Sequence, residues 1–343
     1  LIVAAISGIL LVLICISGAL LVYGKEIQHL ISPNNWLVEV KSKPQRLSDL
    51  ISNAEKTTKD HVKQIRIEKD DAIAWQLILQ NGTWVSINQY TNEILYQYQF
   101  DQTFYGFVMF LHRWLIYTDN DGNRPFKVFI SIASLLLIIE IILGLWLWLK
   151  PKKPFKRLKL RKNAPNKTKW YQRHILFGVV SALPLILLAF SGVTFHWKQA
   201  TQKVIEVATL SMIEAPSKPK IDSKPINVDL DTLLEKAKTT LAGGRIARIY
   251  LPTTDAIFSV RVQLPSEHYA YSWRWFNANT AQLIDKYDAV NVSSASWLWN
   301  FRYVFHVGSF GGHVTKVLWL ILSLLPIFFL ATGFYFYIQK KQK

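Results

Sequence analysis

Two histidines, His112 and His306, stand at equivalent places in the two halves of a 343-residue sequence. Each follows a long polar segment and comes shortly before a long apolar stretch. A neutral imidazole binds metals, and two imidazoles that face each other supply both axial ligands of a b-type haem. The sequence leaves two interpretations open for the pair, a structural role for each ring or axial ligation of one haem.

A third histidine, His174, begins the apolar stretch that follows the most basic part of the chain. An internal repeat with an offset of 174 residues relates Ser17-Gly18 to Ser191-Gly192. The same offset maps His174 onto the position directly before Leu1. We expect a histidine there, which would complete a second haem site near the cytoplasmic surface. The inner site is therefore expected to lack one ligand in the sequence as given.

Three further residues are weaker candidates. His196 lies 22 residues after His174, which is about 33 Å along a helix axis and on nearly the same face. It is therefore a candidate supporting residue or alternative outer ligand. Its equivalent in the repeat is Val22, which argues against a symmetric pair of histidines. His313 is a candidate contact for haem propionates or substrate. Glu140 is an acid inside an apolar stretch, where a proton-coupled role, a hydrogen bond to a buried group or a plain contact between helices are all open.

The composition indicates a membrane protein that positions these residues on helices. Half of the residues are hydrophobic, the formal charge is +17, and the single cysteine lies in an apolar stretch, which excludes an internal disulfide framework and a cysteine-based metal site. Four stretches exceed the roughly 20 residues that span a bilayer. They are residues 1–23, 126–149, 174–197 and 314–338.

The loop at residues 150–173 carries eleven Lys or Arg and no acid, which marks it as cytoplasmic. With the tail at 339–343 on the same side, both termini are expected in the cytoplasm of a bacterial inner-membrane protein. Two large segments, 24–125 and 198–313, are then periplasmic. Because the charge is concentrated in the loop and the tail, it indicates topology and contact with anionic lipid rather than nucleic-acid binding.

The two outer segments have the same predicted order of elements. Each begins with a helix, Leu47–Thr58 or Leu230–Leu241, and continues into alternating apolar runs separated by turn residues. The sequence therefore predicts an internal duplication. The predicted fold is an α-helical four-helix transmembrane bundle with a pseudo-two-fold axis and two periplasmic α+β modules.

The order of these motifs resembles the PepSY-associated transmembrane family, also called iron-regulated membrane proteins, which includes bacterial inner-membrane siderophore reductases. The resemblance covers essentially the whole chain and rests on four motifs and two PepSY-like modules. The motifs are Trp170 with His174, Ser191-Gly192, residues 111–114 (LHRW) and residues 306–312 (HVGSFGG). It implies reduction of ferric siderophore iron in the periplasm by membrane haems, with His112, His306 and His174 as axial ligands.

No dinucleotide-binding glycine pattern follows a predicted strand. The electron donor is therefore expected to be a separate cytoplasmic flavin reductase or a quinol. Two other interpretations compete with a reductase. The PepSY-like modules could bind a periplasmic peptide or protease with the helices as an anchor, or the protein could be an iron or siderophore permease.

Overall fold

The computed structural model describes residues 2–221, 223–226 and 228–341, and the chain divides into two units. Unit 1 holds the long apolar helices. Unit 2 holds the strands. Unit 1 comprises Leu1–Gly24, Val108–Val204 and Arg302–Lys343, and unit 2 comprises Lys25–Phe107 and Ile205–Phe301.

Ten helices of eight or more residues are found in the described residues. They are α1 (Ile2–Val22), α2 (Gly24–Ile31), α3 (Leu47–Thr58), α4 (Phe104–Trp114), α5 (Lys127–Leu149), α6 (Asn166–Val193), α7 (Lys198–Thr209), α8 (Leu230–Thr239), α9 (Ser294–His306) and α10 (Gly312–Lys341). Among the described residues, α5, α6 and α10 are long and apolar enough to cross a membrane, and the bent pair α1 and α2 makes a fourth span if it is counted as one.

In unit 1, α1 packs against α10 and α5, and α6 packs against α5 and α10. The sequence placed the third apolar helix at residues 174–197, whereas α6 begins at Asn166 and ends at Val193. Polar residues in its first turns are compatible with a helix but carry no hydropathy signal, so this start was missed. The helix ends early because residues 194–197 form a turn.

Unit 2 is built on one eight-stranded antiparallel sheet in the order β4-β3-β2-β1-β5-β6-β7-β8. The strands are β1 (Val62–Arg66), β2 (Trp75–Leu79), β3 (Trp84–Ile87), β4 (Ile94–Tyr98), β5 (Arg245–Tyr250), β6 (Ile257–Gln263), β7 (Ser272–Asn277) and β8 (Leu283–Tyr287). The sequence predicted two separate strand sets. The pairing of β1 with β5 joins them into one sheet, with Ile65 opposite Ile249.

Helices α3 and α8 share the apolar core with one face of this sheet. The i, i+3, i+4, i+7 spacing of Leu47, Leu50, Ile51 and Ala54 gives α3 a buried stripe. A carboxylate of α8 caps the start of α3, because Asp231 accepts hydrogen bonds from the backbone nitrogen of Leu47 at 2.8 Å and the hydroxyl of Ser48. The two chain segments of unit 2 are therefore joined both by strands and by helices.

Candidate functional site

His112 and His306 both lie at or near the carboxyl end of a short helix rather than in an apolar span. After His112, α4 ends because Leu115 and Ile116 adopt positive φ angles of 52° and 68°. His306 is the last residue of α9, and Gly308 follows with a φ of 69°. A Cβ at Gly308 would lie 2.6 Å from the side chain of Trp319, so this turn requires glycine.

The two rings lie next to each other in unit 1. Their centroids are 6.1 Å apart and their planes are inclined by 45°. An imidazole nitrogen binds a transition metal at about 2.0 Å, which places two ring centres on opposite sides of one metal about 6 Å apart. The separation therefore fits axial ligation of a single metal. Two imidazoles leave the remaining coordination positions to another group, as the four nitrogens of a porphyrin provide.

Hydroxyl groups fix the tautomer of both rings. Nδ1 of His112 lies 3.1 Å from the carbonyl oxygen of Ile14, which can only accept, so Nδ1 carries the proton. It also donates to Oγ of Ser17 at 3.1 Å, and that hydroxyl donates its own proton to a backbone carbonyl of α1. Nδ1 of His306 pairs with Oγ of Ser191 at 2.9 Å in the same way. Nε2 of each ring is thereby left as a lone-pair donor for a metal.

Each serine is followed by a glycine that makes room for the ring. A Cβ at Gly18 would lie 3.0 Å from Cε1 of His112, and a Cβ at Gly192 would lie 3.3 Å from Cε1 of His306. Any larger residue at either place would press on the imidazole. In each half of the molecule, the Ser-Gly pair therefore positions one histidine, because the serine hydrogen-bonds the ring and the glycine leaves space for it.

Burial favours the neutral form of both rings. Desolvation lowers the pKa of His112 to about 4. Desolvation and the neighbouring His112 lower the pKa of His306 to about 3. Both imidazoles are therefore uncharged at neutral pH, and the neutral ring is the form that binds iron.

His174 has the same hydroxyl partner arrangement on different helices. Its Nδ1 lies 2.6 Å from Oγ1 of Thr332 on α10, and the hydroxyl of Thr332 donates to the carbonyl of Phe328 at 2.8 Å. The ring also contacts Phe329 edge to face at 5.2 Å. Nε2 is again the nitrogen left for a metal. All three histidines implied as ligands therefore have the same kind of support, a hydroxyl group at Nδ1.

A cavity of about 1090 Å³ adjoins His174 within unit 1. Its lining is mainly apolar, and each of the four long helices contributes one glycine to it, namely Gly8, Gly144, Gly178 and Gly333. A Cβ at Gly144 or Gly333 would meet nothing within 4 Å. The cavity exceeds the upper range of usual ligand pockets, about 1,000 Å³, and it has the apolar walls that suit a flat apolar macrocycle. Glu140 also lines this cavity.

Basic and aromatic side chains surround the outer pair. Phe195 lies edge to face with His306 at 5.3 Å, and the guanidinium of Arg113 lies 5.8 Å from the Phe195 ring. Arg302 contacts the same ring at 5.9 Å, while Arg124 lies 3.5 Å from the ring of Trp114. Guanidinium groups near an apolar ring system are suited to carboxylates such as haem propionates.

The two weaker histidine candidates do not join the pair in the described part of the chain. His196 lies in the turn after α6 with its ring 5.8 Å from Trp197, and its neighbour Phe195 makes the contact with His306. His313, near the start of α10, stacks on Tyr23 at 6.3 Å. A supporting role for His196 and a propionate or substrate role for His313 remain predictions.

A family comparison assigns the chain. Residues 1–340 match the model of the PepSY-associated TM region. The chain belongs to this PepSY-associated transmembrane family. No match was found among proteins with curated functions. The match to the family model confirms the family that the motifs predicted. The apolar helices of the described residues confirm that the chain is a membrane protein.

Sequence reasoning missed the residues that support the histidines. Ser17, Gly18, Ser191 and Gly192 were recognised as a repeat, but their contacts with the rings were not predicted. The signal was the repeat itself, since a hydroxyl residue followed by a glycine recurs in both halves of the chain, as a histidine does before the second apolar stretch of each half. Thr332 and Gly333 carried a similar signal, because the segment resembles residues 143–146.

Proposed function

We propose that this protein is a bacterial inner-membrane reductase that holds two b-type haems and carries electrons from the cytoplasm to ferric siderophore iron in the periplasm. In this proposal α1, α5, α6 and α10 form a four-helix transmembrane bundle, and unit 2 combines the two PepSY-like modules outside. The observation that supports it most is the outer pair, two neutral imidazoles with centroids 6.1 Å apart, each held by a serine and seated on a glycine.

The two candidate haem positions lie at different depths of α6. His174 and Ser191 are on this helix, and 191 minus 174 is 17 residues, or about 25 Å along the axis. That distance is most of the roughly 30 Å hydrocarbon thickness of a bilayer. The inner cavity at His174 and the outer pair beside Ser191 are therefore spaced as two haem positions along one electron path across the membrane would be.

Bound haem would supply one-electron exchange between the ferric and ferrous states of its iron. The residues of this chain provide the conditions for it. Ser17, Ser191 and Thr332 hold the rings in the tautomer that leaves Nε2 for the iron, and the apolar surroundings exclude water. Arg113 and Arg302 place positive charge beside the outer pair, where it favours carboxylates and raises the affinity for an electron.

The basic loop at residues 150–173 marks the electron entrance in this proposal. It lies next to His174 in the chain and would face the cytoplasm, where a flavin reductase or a quinol supplies electrons. An acidic partner would be attracted by this charge. The electron exit is the outer pair, from which the ferric chelate is reduced.

Vectorial electron transfer tests the proposal. The full-length protein is reconstituted into liposomes loaded with dithionite, and a ferric siderophore outside is followed by trapping ferrous iron with a coloured chelator. We expect iron reduction with the wild-type protein. Because the outer pair is the exit, His306→Ala should reduce the rate at least tenfold.

The matched control is His61→Ala, which removes an exposed histidine of unit 2 paired with Glu55. This variant should reduce iron at the wild-type rate. Haem-free wild-type protein that still binds a peptide would favour the anchored peptide-binding interpretation. Uptake of the intact chelate without reduction would favour a permease, and either result would refute the proposal.

A further inference from the structure

The face of the unit 2 sheet opposite α3 and α8 carries a row of polar and aromatic side chains. Strand register places Arg66 directly opposite Arg248, and Arg248 directly opposite Arg261. The row continues through Gln76 on one side and Trp273 on the other. Three arginines are thus adjacent on the three central strands β1, β5 and β6.

Like charges directly opposite each other in a sheet are destabilising. In the described residues no salt bridge involves Arg66, Arg248 or Arg261, and Glu68, the acid whose charge acts on Arg66, is itself paired with Lys25. Burial, and after it the neighbouring Arg248, lower the pKa of Arg66, whereas Tyr269 and Tyr250 raise the pKa of Arg248 despite its burial. A repulsive row in the middle of a sheet calls for an explanation other than stability.

Aromatic rings hold the guanidinium groups in place without cancelling their charge. Arg66 lies 4.4 Å from the ring centre of Trp84, and Arg261 lies 5.4 Å from that of Trp273. Arg248 donates a hydrogen bond of 2.8 Å to the hydroxyl of Tyr269. The row is therefore preorganised, and its positive charge is retained.

Three donor atoms around this row are buried and have no hydrogen-bond partner among the described residues. They are Nε of Arg66, Nε of Arg261 and Nε2 of Gln64. Buried donors in folded proteins are nearly always paired. The three arginine side chains are nonetheless partly exposed, so their positive charge is accessible on this face and points to a ligand that brings negatively charged oxygen atoms.

We propose that Arg66, Arg248 and Arg261 recognise the anionic oxygens of the ferric chelate, so that the preferred substrate is a negatively charged complex of the catecholate or carboxylate class. The inference rests on the proposed function for the identity of the substrate as a ferric chelate. Trp273 lies at the end of the arginine row and stacks on Tyr250 at 5.3 Å and on Trp275 at 5.8 Å, which offers flat aromatic surface to catechol rings.

Binding of redox-inert gallium complexes tests this inference without electron transfer. Gallium(III) tris-catecholate is trianionic, whereas gallium(III) tris-hydroxamate is neutral, and both have the size and octahedral shape of the ferric complexes. Titration calorimetry with the full chain in detergent should give an affinity at least about tenfold higher for the catecholate complex. Replacing one arginine, in Arg66→Gln, Arg248→Gln or Arg261→Gln, should weaken catecholate binding by about tenfold and leave hydroxamate binding unchanged.

Arg46→Gln is the matched control, because Arg46 is an exposed arginine of unit 2 at the start of α3. It should bind the catecholate complex like the wild type. Arg261→Lys keeps the charge and should retain more affinity than Arg261→Gln. Equal affinity for both complexes, or catecholate binding that survives all three glutamine replacements, would overturn the inference.

Folding and function are kept separate in this test. The triple glutamine variant removes mutual repulsion but also the ring contacts of Arg66 and Arg261 and the Arg248–Tyr269 hydrogen bond, so its thermal unfolding is measured beside binding. A variant that unfolds cooperatively and keeps hydroxamate binding but loses catecholate binding supports the recognition role, whereas equal loss of both kinds of binding overturns it. Gallium binding does not require haem. Absence of haem would therefore refute the proposed function alone, whereas equal binding of the anionic and the neutral complex would refute this inference alone.

Discussion

The outer and inner histidine sites of unit 1 use the same support but differ in what surrounds it. At the outer site two rings lie 6.1 Å apart and are packed closely enough that a Cβ at Gly18 would press on His112. At the inner site one ring borders a cavity of about 1090 Å³, and Cβ atoms at Gly144 and Gly333 would meet nothing. Both sites hold Nδ1 by a hydroxyl.

The difference separates two requirements of a haem site, ligand geometry and space for the macrocycle. The outer site displays the first, because both histidines and their hydrogen-bond partners are in place. The inner site displays the second, because glycine from each of the four long helices keeps the cavity open. If both are haem sites, disturbance of ligand geometry should damage the outer site, and loss of space should damage the inner one.

The largest effect is expected from Gly18→Val. The added side chain must displace His112, whose Cε1 lies 3.0 Å from the position of a Cβ, and a valine in this helix has one strongly preferred rotamer. We expect loss of essentially all outer haem while inner haem remains, measured as haem per protein and by visible absorption. Leu20→Val, at an exposed position of α1, is the control for a general effect of valine in this helix. Normal outer haem in Gly18→Val would show that the space that Gly18 leaves for His112 is not required.

A somewhat smaller effect is expected from Gly333→Leu. The side chain would enter the inner cavity, so inner haem should fall by more than half while the outer absorption stays unchanged. Haem content of the purified variant, compared with that of Leu324→Ala at an exposed position of the same helix, measures it. Equal inner and outer losses would mean that the cavity is not a separate haem position.

How much of this was predictable depends on which signals are local. Helix α3 begins at Leu47 and ends at Thr58 as predicted, because its apolar period is regular. Helix α4 was not predicted, since aromatic residues on most sides of it hide the period. The β1–β5 pairing has no local signal, because two segments more than 170 residues apart determine it.

The site was predictable in its ligands more than in its supports. The repeat identified His112 and His306 as equivalent, and the structure brings the two rings together. Their serine partners are on other helices, and only the packing of α4 on α1 and of α9 on α6 brings them into contact. Spacing along the helix placed His196 on the face of His174 as a candidate supporting residue or alternative outer ligand. The helix ends at Val193, and the neighbouring Phe195 contacts His306, while the role of His196 stays a prediction.

A smaller effect is expected from removal of one hydroxyl. Ser17→Ala, Ser191→Ala and Thr332→Val each delete one hydroxyl acceptor of an Nδ1 proton, and loss of such a partner costs about 10- to 100-fold in metal affinity. Haem retention against apomyoglobin as an acceptor measures this. The serine variants should lose outer haem faster and Thr332→Val inner haem faster. Ser323→Ala, whose hydroxyl bonds only its own helix, is the control.

Absorption spectroscopy of the purified full-length protein and of His306→Ala tests the central claim most directly. We expect Soret and alpha bands of low-spin b-type haem in the wild type, at two haems per protein when both inner ligands are present. In His306→Ala the outer low-spin component should disappear and the inner component should remain. Wild-type protein without haem bands, or a His306→Ala spectrum identical to that of the wild type, would contradict the account.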